Sequence, residues 1–240
     1  MFVHHGKNRT FTHNIRLATL LSLVAGIVNI TGVLSIKMLT TNVTGHFAFF
    51  AEEIMRHDYR IALTFLVFTL CFLLGSFIAN FIVEFVITRK PRLAYITPIF
   101  LEISILLCVA LFFVPNSIYT TEGKTTAFLL LLAMGIQNSL VTKVSQSTVR
   151  TTHLTGLFTD LGIELSQLFF FKKPEEQSQL KKTISLRLSI IVFFFIGCVL
   201  GGFTYNYLKI KTLLLACIVL IIALFYDFIR LKIVANNKEM

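Results

Sequence analysis

Charged residues are scarce in this sequence. Asp, Glu, Lys and Arg make up 14% of its 240 residues, whereas they average about 25% in soluble globular domains. Hydrophobic residues make up 55%, and 25 residues are Phe. This composition excludes a soluble globule of ordinary type and predicts a polytopic membrane protein.

The sequence motifs of several enzyme classes are also missing. The chain has no Ser–His–Asp order with a nucleophile elbow, no Gly-x-x-x-x-Gly-Lys loop and no His-Glu-x-x-His pair. The four cysteines lie in apolar runs without Cys-x-x-Cys spacing, which is typical of small buried side chains rather than of disulfides or metal sites. His46 and His153 occupy different places in a repeated motif and have no acidic or Cys neighbour at ligand spacing. We therefore expect no metal, no cofactor and no catalytic activity.

Six apolar runs are long enough to cross a hydrocarbon core that takes about 20 residues. They are Leu17–Ile36, Ile61–Thr88, Leu93–Val114, Thr125–Thr142, Leu188–Tyr207 and Thr212–Ile229. The first run follows sixteen polar, basic residues, but its length and the lack of an Ala-x-Ala-like site favour an uncleaved span over a signal peptide. We expect an all-α polytopic membrane helical bundle with six spans.

A polar motif occurs twice in the chain. TTNVTGHF at 40–47 matches TTHLTGLF at 151–158 in five of eight positions, and each copy follows an apolar run that carries Gly-Ile-x-Asn, at 26–29 and 135–138. Farther along, Gly201, Phe203 and Asn206 repeat Gly75, Phe77 and Asn80 at one constant offset. Self-similarity of this kind indicates two copies of one unit, and a polar, Gly-containing break that recurs in both copies indicates a binding site.

Each motif opens a short helical piece, Gly45–Met55 in the first half and Gly156–Phe171 in the second. Counted from Thr44, the first piece has 12 residues before Arg56, about 18 Å of helix against a core of about 30 Å. If neither piece crosses, each half has three spans and the second half is inverted. If both cross, the halves have four spans each and are parallel.

The 22 Lys and Arg residues favour the inverted arrangement. It places 16 of them in the cytoplasm and 6 outside, whereas the parallel arrangement gives 14 and 8. The net charge of +10 therefore reflects orientation in the lipid bilayer, and we expect no nucleic-acid partner. The sequence leaves a homo-oligomer open.

The expected organisation follows from these spans. Both termini lie in the cytoplasm, and the protein resides in the bacterial inner (cytoplasmic) membrane. The predicted parts are a cytoplasmic N-terminal segment (1–16), a first membrane repeat (17–114), an outer loop (115–124), a second membrane repeat (125–229) that contains a cytoplasmic linker (172–187), and a cytoplasmic tail (230–240).

The inverted arrangement predicts a solute site where the two short helices approach each other near the membrane midplane. Thr44 and Thr155 are placed as N-caps, and free N–H groups at the positive ends of the helix dipoles favour an anion or a carboxylate. The predicted site residues are Thr41, Thr44, Gly45, Thr152, Thr155, Gly156, Asn29 and Asn138. The alternative for the two asparagines is that they tie helices together.

Three carboxylates are candidates for proton coupling or orientation. Glu53 and Glu164 are counterparts in the motif register, and Glu102 lies in the third span without a nearby cation. Alternatively, Glu53 and Glu164 lie at the water boundary or pair with arginines, and Glu102 pairs across helices. The arginines considered are Arg56, Arg60 and Arg150.

These marks together resemble the YoaK-like family of small bacterial integral membrane proteins. The resemblance rests on Ala-Gly-Ile-Val-Asn at 25–29, both Thr-x-x-Thr-Gly stretches, Gly-x-Gln-Asn at 135–138 and Leu-Glu at 101–102. It implies a six-span inner-membrane protein and supplies no substrate. From the residues we expect a secondary transporter or facilitator of a small anionic or carboxylate solute, with proton coupling as a further expectation. The alternative is a non-transporting membrane scaffold or accessory protein.

Overall fold

The structure is a computed structural model that describes residues 11–90, 93–115, 117–145, 149 and 151–236, with side chains described up to Tyr226. Parts of the predicted N-terminal segment and tail lie outside these residues, as does Arg150.

Every regular element among the described residues is helical, so the all-α prediction is confirmed. The helices are α1 (Phe11–Ile36), α2 (Val43–Met55), α3 (Tyr59–Ile87), α4 (Thr97–Phe112), α5 (Thr121–Val144), α6 (Leu154–Gln167), α7 (Pro174–Leu208) and α8 (Leu213–Asn236). A short 3-10 helix, Lys209–Thr212, separates α7 from α8.

Local sequence signals fix several helix starts. Asp58 and Thr120 cap α3 and α5, because each side chain accepts the backbone N–H of the residue three positions later. Pro98 and Pro174 lie in the first turns of α4 and α7, where a missing N–H costs nothing. Most of the predicted linker 172–187 is therefore the first part of α7, which begins at Pro174.

Four described segments are long and apolar enough to cross a membrane by length and composition. They are Phe11–Ile36, Tyr59–Ile87, Thr121–Val144 and Pro174–Tyr226. The last combines α7 with most of α8, although Lys209, with a φ of 52°, breaks the helix between them. Helix α4 is apolar but has only 16 residues, about 24 Å of helix.

Helices α1 and α5 form the centre of the bundle. In the most apolar stretch of each helix, 67% of residues are buried in α1 and 61% in α5, against 17% in α3. Helix α1 packs chiefly on α7 and α3 on α5, while α4 packs on α5 and α8 on α1. The short helices α2 and α6 pack on α3 and α7. If α1, α2, α3 and α4 are matched to α5, α6, α7 and α8, each of these pairings corresponds to another one in the set.

Glycines allow the closest helix contacts. A Cβ atom on Gly26 of α1 would lie 2.1 Å from the carbonyl oxygen of Phe194, and one on Gly135 of α5 would lie 2.2 Å from that of Phe72. Only glycine permits backbones to approach this closely.

The partners of these glycines set the register between the halves. Gly197 faces α1 as Gly75 faces α5, because a Cβ atom on either would lie within 2.2 Å of a carbonyl oxygen of the opposite helix. Cys198 and Ser76, the residues that follow, donate to the carbonyl oxygens of Gly26 and Gly135. In the packing, Gly197 is therefore the structural counterpart of Gly75. Sequence repetition indicated Gly201, which lies one helical turn later.

Candidate functional site

The first motif lies beside the interior of α1 and not at the end of that helix. After α1 ends at Ile36, the chain turns back, and the backbone N–H of Thr40 and the hydroxyl of Thr41 each donate to Oδ1 of Asn29 at 3.1 Å. Asn29 precedes the end of α1 by seven residues, which is about 10 Å along the helix. Helix α2 therefore begins about two turns below the end of α1.

The cap of α2 differs from the prediction. Helix α2 begins at Val43, and Oδ1 of Asn42 accepts the N–H of Gly45 at 3.0 Å. Thr44 is the second residue of the helix, so its placement as N-cap is wrong; Asn is as good a capping residue as Thr and stands two positions earlier. One of the orphan N–H groups of this helix terminus is thereby already satisfied.

The second motif leaves its helix terminus less occupied. Helix α6 begins at Leu154, and His153 at the N-cap position makes no side-chain capping bond. Thr155 is the second residue, so its predicted N-cap role is also wrong. A Cβ atom on Gly156 would lie 2.4 Å from Cδ2 of the His153 ring, so glycine gives the ring its space. Since no side chain caps α6, its first-turn N–H groups are more available to a ligand than those of α2.

The two motifs have matching burial, position by position. Thr40 and Thr151 are fully buried, whereas Thr44 and Thr155 are exposed. Thr41 and Thr152, and likewise Gly45 and Gly156, are half-buried. The repeated sequence therefore adopts the same environment twice, with one threonine of each copy turned outward.

The two helix N-termini are not packed against each other. Helix α2 lies on α3 and α6 lies on α7, and the pair α2–α6 is not among the packed pairs of the described helices. The central helices α1 and α5, which carry Asn29 and Asn138, do contact each other.

Asn138 differs from its counterpart Asn29. Its Oδ1 atom is buried and has no hydrogen-bond partner, and the same is true of the hydroxyl of Thr151, within the part of the chain that the structure describes. A buried acceptor without a donor costs about 1–3 kcal/mol. The hydroxyl of Thr40 in the first motif is likewise buried and without a partner among the described residues, so the two halves differ at Asn29 and Asn138 but not at these two threonines.

Glu102 is fully buried between α4 and α5. Its Oε1 atom accepts a hydrogen bond from Nε2 of Gln137 at 3.0 Å. Oε2 of Glu102 and Oε1 of Gln137 have no partner among the described residues, and the helices that carry them contribute Ile103, Leu106 and Met134 to the buried apolar core. Glu102 therefore pairs across helices with a neutral amide. Its partner Gln137 immediately precedes Asn138 in the chain.

The carboxylates of the short helices form ion pairs with arginines. Glu53 lies 3.5 Å from Nη1 of Arg56. On α6, Oε2 of Glu164 and Oδ2 of Asp160 accept from Nε and Nη1 of Arg187 at 2.9 and 2.8 Å. These pairs neutralise Glu53 and Glu164 and fix each carboxylate in place.

Arg187 is the site residue that the sequence interpretation missed. The sequence places it at the end of the predicted cytoplasmic linker, whereas α7 carries it against α6 with 24% of its side chain exposed. The signal that pointed to it is a lone arginine at the start of an apolar run, since such a residue needs a carboxylate partner.

His46 serves as a packing residue in the described structure. It is 1% exposed, its ring lies 5.7 Å from that of Phe68 and 6.4 Å from that of Phe65 between centroids, and Leu157 occupies its place in the second motif. Burial lowers the pKa of the imidazole, which therefore stays neutral. Among the described residues no three His, Cys, Asp or Glu side chains are grouped so that they could hold a metal ion.

Comparison with known proteins places the chain among membrane proteins. Residues 17–226 match the family described as "Protein of unknown function (DUF1275)". The UPF0700 transmembrane protein YoaK of Bacillus subtilis (strain 168) is 29% identical over 183 residues, which cover 74% of this chain and 78% of that relative. No solved structure matches the chain.

Proposed function

Since the chain belongs to the DUF1275 family and is a helical membrane protein, we propose that it is a secondary transporter or facilitator of a small anionic or carboxylate solute. One observation carries the proposal: hydrogen bonds to Asn29 hold the first motif about 10 Å below the end of α1. A helix N-terminus at that depth is the arrangement by which discontinuous helices bind solutes in transporters, and the motif sequence occurs a second time at the start of α6.

The proposal includes six crossings in two inverted repeats. The crossings are α1, α3 and α4 in the first half and α5, α7 and α8 in the second, while α2 and α6, with 13 and 14 residues, are too short. The helix pairs support this. If α1 corresponds to α5 and α3 to α7, the pairing α1–α7 corresponds to the pairing α3–α5, and both are observed. The Lys and Arg distribution supports cytoplasmic termini in the bacterial inner membrane.

The second motif is the open half of the proposed site. The N–H groups of α6 have no capping side chain, the exposed hydroxyl of Thr155 lies in the same turn, and the buried Oδ1 of Asn138 is unpaired. An anionic group would accept from the helix N–H groups and Thr155, while a hydroxyl or amide of the solute would donate to Asn138. In the inverted arrangement this half is reached from the cytoplasm.

The three carboxylates take different roles in the proposal. Glu164 is paired with Arg187 and so holds α6 against α7, whereas Glu53 is paired with Arg56 at the end of its own helix. Glu102 is buried and has no cation among the described residues. It is therefore the residue that we assign to proton coupling, because a carboxyl in such a site can exist neutral and can lose its proton when the surroundings change.

Transport by purified protein in liposomes tests the proposal. We expect uptake of small carboxylates that responds to a pH gradient, and a loss of at least tenfold in the double variant Thr44→Val/Thr155→Val. The matched control is Thr69→Val/Thr204→Val, because those hydroxyls donate to carbonyl groups of their own helices. A folded Thr44→Val/Thr155→Val protein with normal uptake would rule out the assigned site.

A non-transporting membrane scaffold is the second candidate function. It is favoured by the packing of α2 on α3 and of α6 on α7, since the pair α2–α6 is not among the packed pairs of the described helices. Single cysteines at 44 and 155 in a background without Cys71, Cys108, Cys198 and Cys217 distinguish the two. A transporter predicts labelling by membrane-impermeant thiol reagents at the two positions from opposite sides. A scaffold predicts no labelling through a solvent path. Neither function involves catalysis or nucleic acid, and both leave a homo-oligomer open.

A further inference from the structure

Two adjoining grooves follow the N-terminal half of α7. Their volumes are about 490 and 390 Å³, and Lys181 and Ser185 line both. The two therefore form one continuous depression along the helix, which we call the α7 groove.

The two ends of the α7 groove differ in chemistry. The end near the start of α7 is polar and basic, with Ser178, Lys181 and Lys182. The other end is lined mainly by apolar side chains, Ile184, Leu188, Val192 and Phe193, with Leu168 from the end of α6. A ligand that fills the groove must therefore carry an anionic group at one end and an apolar part at the other.

The lysines of the α7 groove are free to bind an external anion. Lys181 and Lys182 are exposed and form no ion pair within the described part of the chain, whereas nearby Lys173 pairs with Glu176 at 3.3 Å. With the hydroxyls of Ser178 and Ser185 they offer ammonium and hydroxyl donors on adjacent turns. A phosphate group accepts from this set of donors.

The positions of the lining residues follow one face of the helix. Lys181, Ser185, Leu188 and Val192 are separated by four, three and four residues, so they share a stripe about 16 Å long. Leu168 is followed by Phe169 and Phe170, which are 83% and 78% exposed. Exposed Phe rings favour the apolar layer, whereas lysine ammonium groups favour the headgroups, so the stripe, with lysines at one end and apolar side chains at the other, runs from the interface into the apolar layer.

We propose that the α7 groove binds one anionic phospholipid, with the headgroup phosphate on Lys181 and Lys182 and an acyl chain along Leu188 and Val192. Charge complementarity selects the headgroup, and the apolar end selects a lipid over a free phosphate ion. This inference is independent of the solute site, because no residue of the groove belongs to either motif.

Native mass spectrometry of the full chain in detergent tests the lipid site. The probes are phosphatidylglycerol and phosphatidylcholine with the same acyl chains. We expect phosphatidylglycerol to bind at least tenfold more tightly, and Lys181→Gln/Lys182→Gln to weaken that binding by about 25-fold, roughly fivefold per lysine. The control Lys209→Gln/Lys211→Gln removes the same charge beyond the other end of α7 and should change binding less than twofold.

A second variant and a competition experiment complete the test. Ser185→Glu places a negative charge where the two ends of the groove meet and should weaken phosphatidylglycerol binding about fivefold or more. Inorganic phosphate in large excess should not displace the lipid. The proposal is overturned if phosphate competes, if both lipids bind equally, or if the Lys181→Gln/Lys182→Gln protein, monodisperse and helical, keeps its affinity.

Discussion

Nε2 of Gln137 donates a 3.0 Å hydrogen bond to Oε1 of Glu102, and neither side chain has any exposed surface. Gln137→Leu would leave the carboxyl group of Glu102 buried without a partner, so we expect the free energy of unfolding to fall by about 1–3 kcal/mol. Thermal or detergent-induced unfolding measures the loss. Gln167→Leu, on the half-buried face of α6, is the control and should lie within about 0.5 kcal/mol of the parent.

Glu102→Gln provides the complementary prediction for function. An amide fills the same volume and can still bond to Gln137, so the variant should fold with a small change in stability. If Glu102 carries the proton, uptake in liposomes should continue without a response to the pH gradient. An unchanged pH response in this variant would remove Glu102 from the coupling mechanism.

The glycine contacts predict equal effects in the two halves. Gly26→Ala and Gly135→Ala each place a methyl group within about 2.2 Å of a carbonyl oxygen of the opposite helix, and each should destabilise the protein by about 1–3 kcal/mol or more. Gly162→Ala is the matched control, because no atom lies within 4 Å of its added Cβ. That control should be neutral or should stabilise α6 by up to about 1 kcal/mol.

The ion pairs on α6 should contribute more than those on α2. Arg187→Gln leaves Asp160 and Glu164 without their cation in a partly buried site, and we expect a cost of about 1–3 kcal/mol and faster hydrogen exchange in α6. Arg56→Gln, in a side chain that is 64% exposed, should cost less than about 1 kcal/mol. Equal exchange rates in both variants would contradict the assigned difference.

The buried imidazole of His46 predicts a dependence of stability on pH. Its pKa in the folded state is lowered by burial from the ordinary value of 6.5, so the unfolded chain binds the proton more tightly. The stabilising contribution of the neutral ring is therefore present above about pH 6.5 and is lost as the pH falls below it. His46→Leu, the residue found in the second motif, should flatten the unfolding midpoint between pH 7 and 5.

The helices themselves could be predicted from the sequence because hydropathy and short polar breaks are local signals. The all-α class and the short helices after each motif follow from such signals. For Glu102 the sequence left proton coupling and pairing across helices as alternatives. The position of Asn42 as the cap of α2 was not, although it is also a local signal, because the threonine in the repeated motif was given more weight than the asparagine before it.

Features that depend on contacts between distant segments could not be predicted from the sequence. Repetition aligned Gly75 with Gly201, but the backbone approach to α1 uses Gly197, one turn earlier. Arg187 meets Asp160 and Glu164 only because α7 begins at Pro174 and runs beside α6. The positions of the N-termini of α2 and α6 likewise depend on the packing of these helices on α3 and α7.

The packing of helices from the first half against helices from the second half has a consequence for motion. Since α1 lies against α7 and α3 against α5, each half of the polypeptide completes the interior of the other, and a protein cut in the loop around residue 117 should yield fragments that fold only when produced together. If the protein transports as proposed, this packing predicts that residues 17–114 and 125–229 do not rock against each other as two rigid bodies. The moving units would instead be the helix pairs α1 with α7 and α3 with α5.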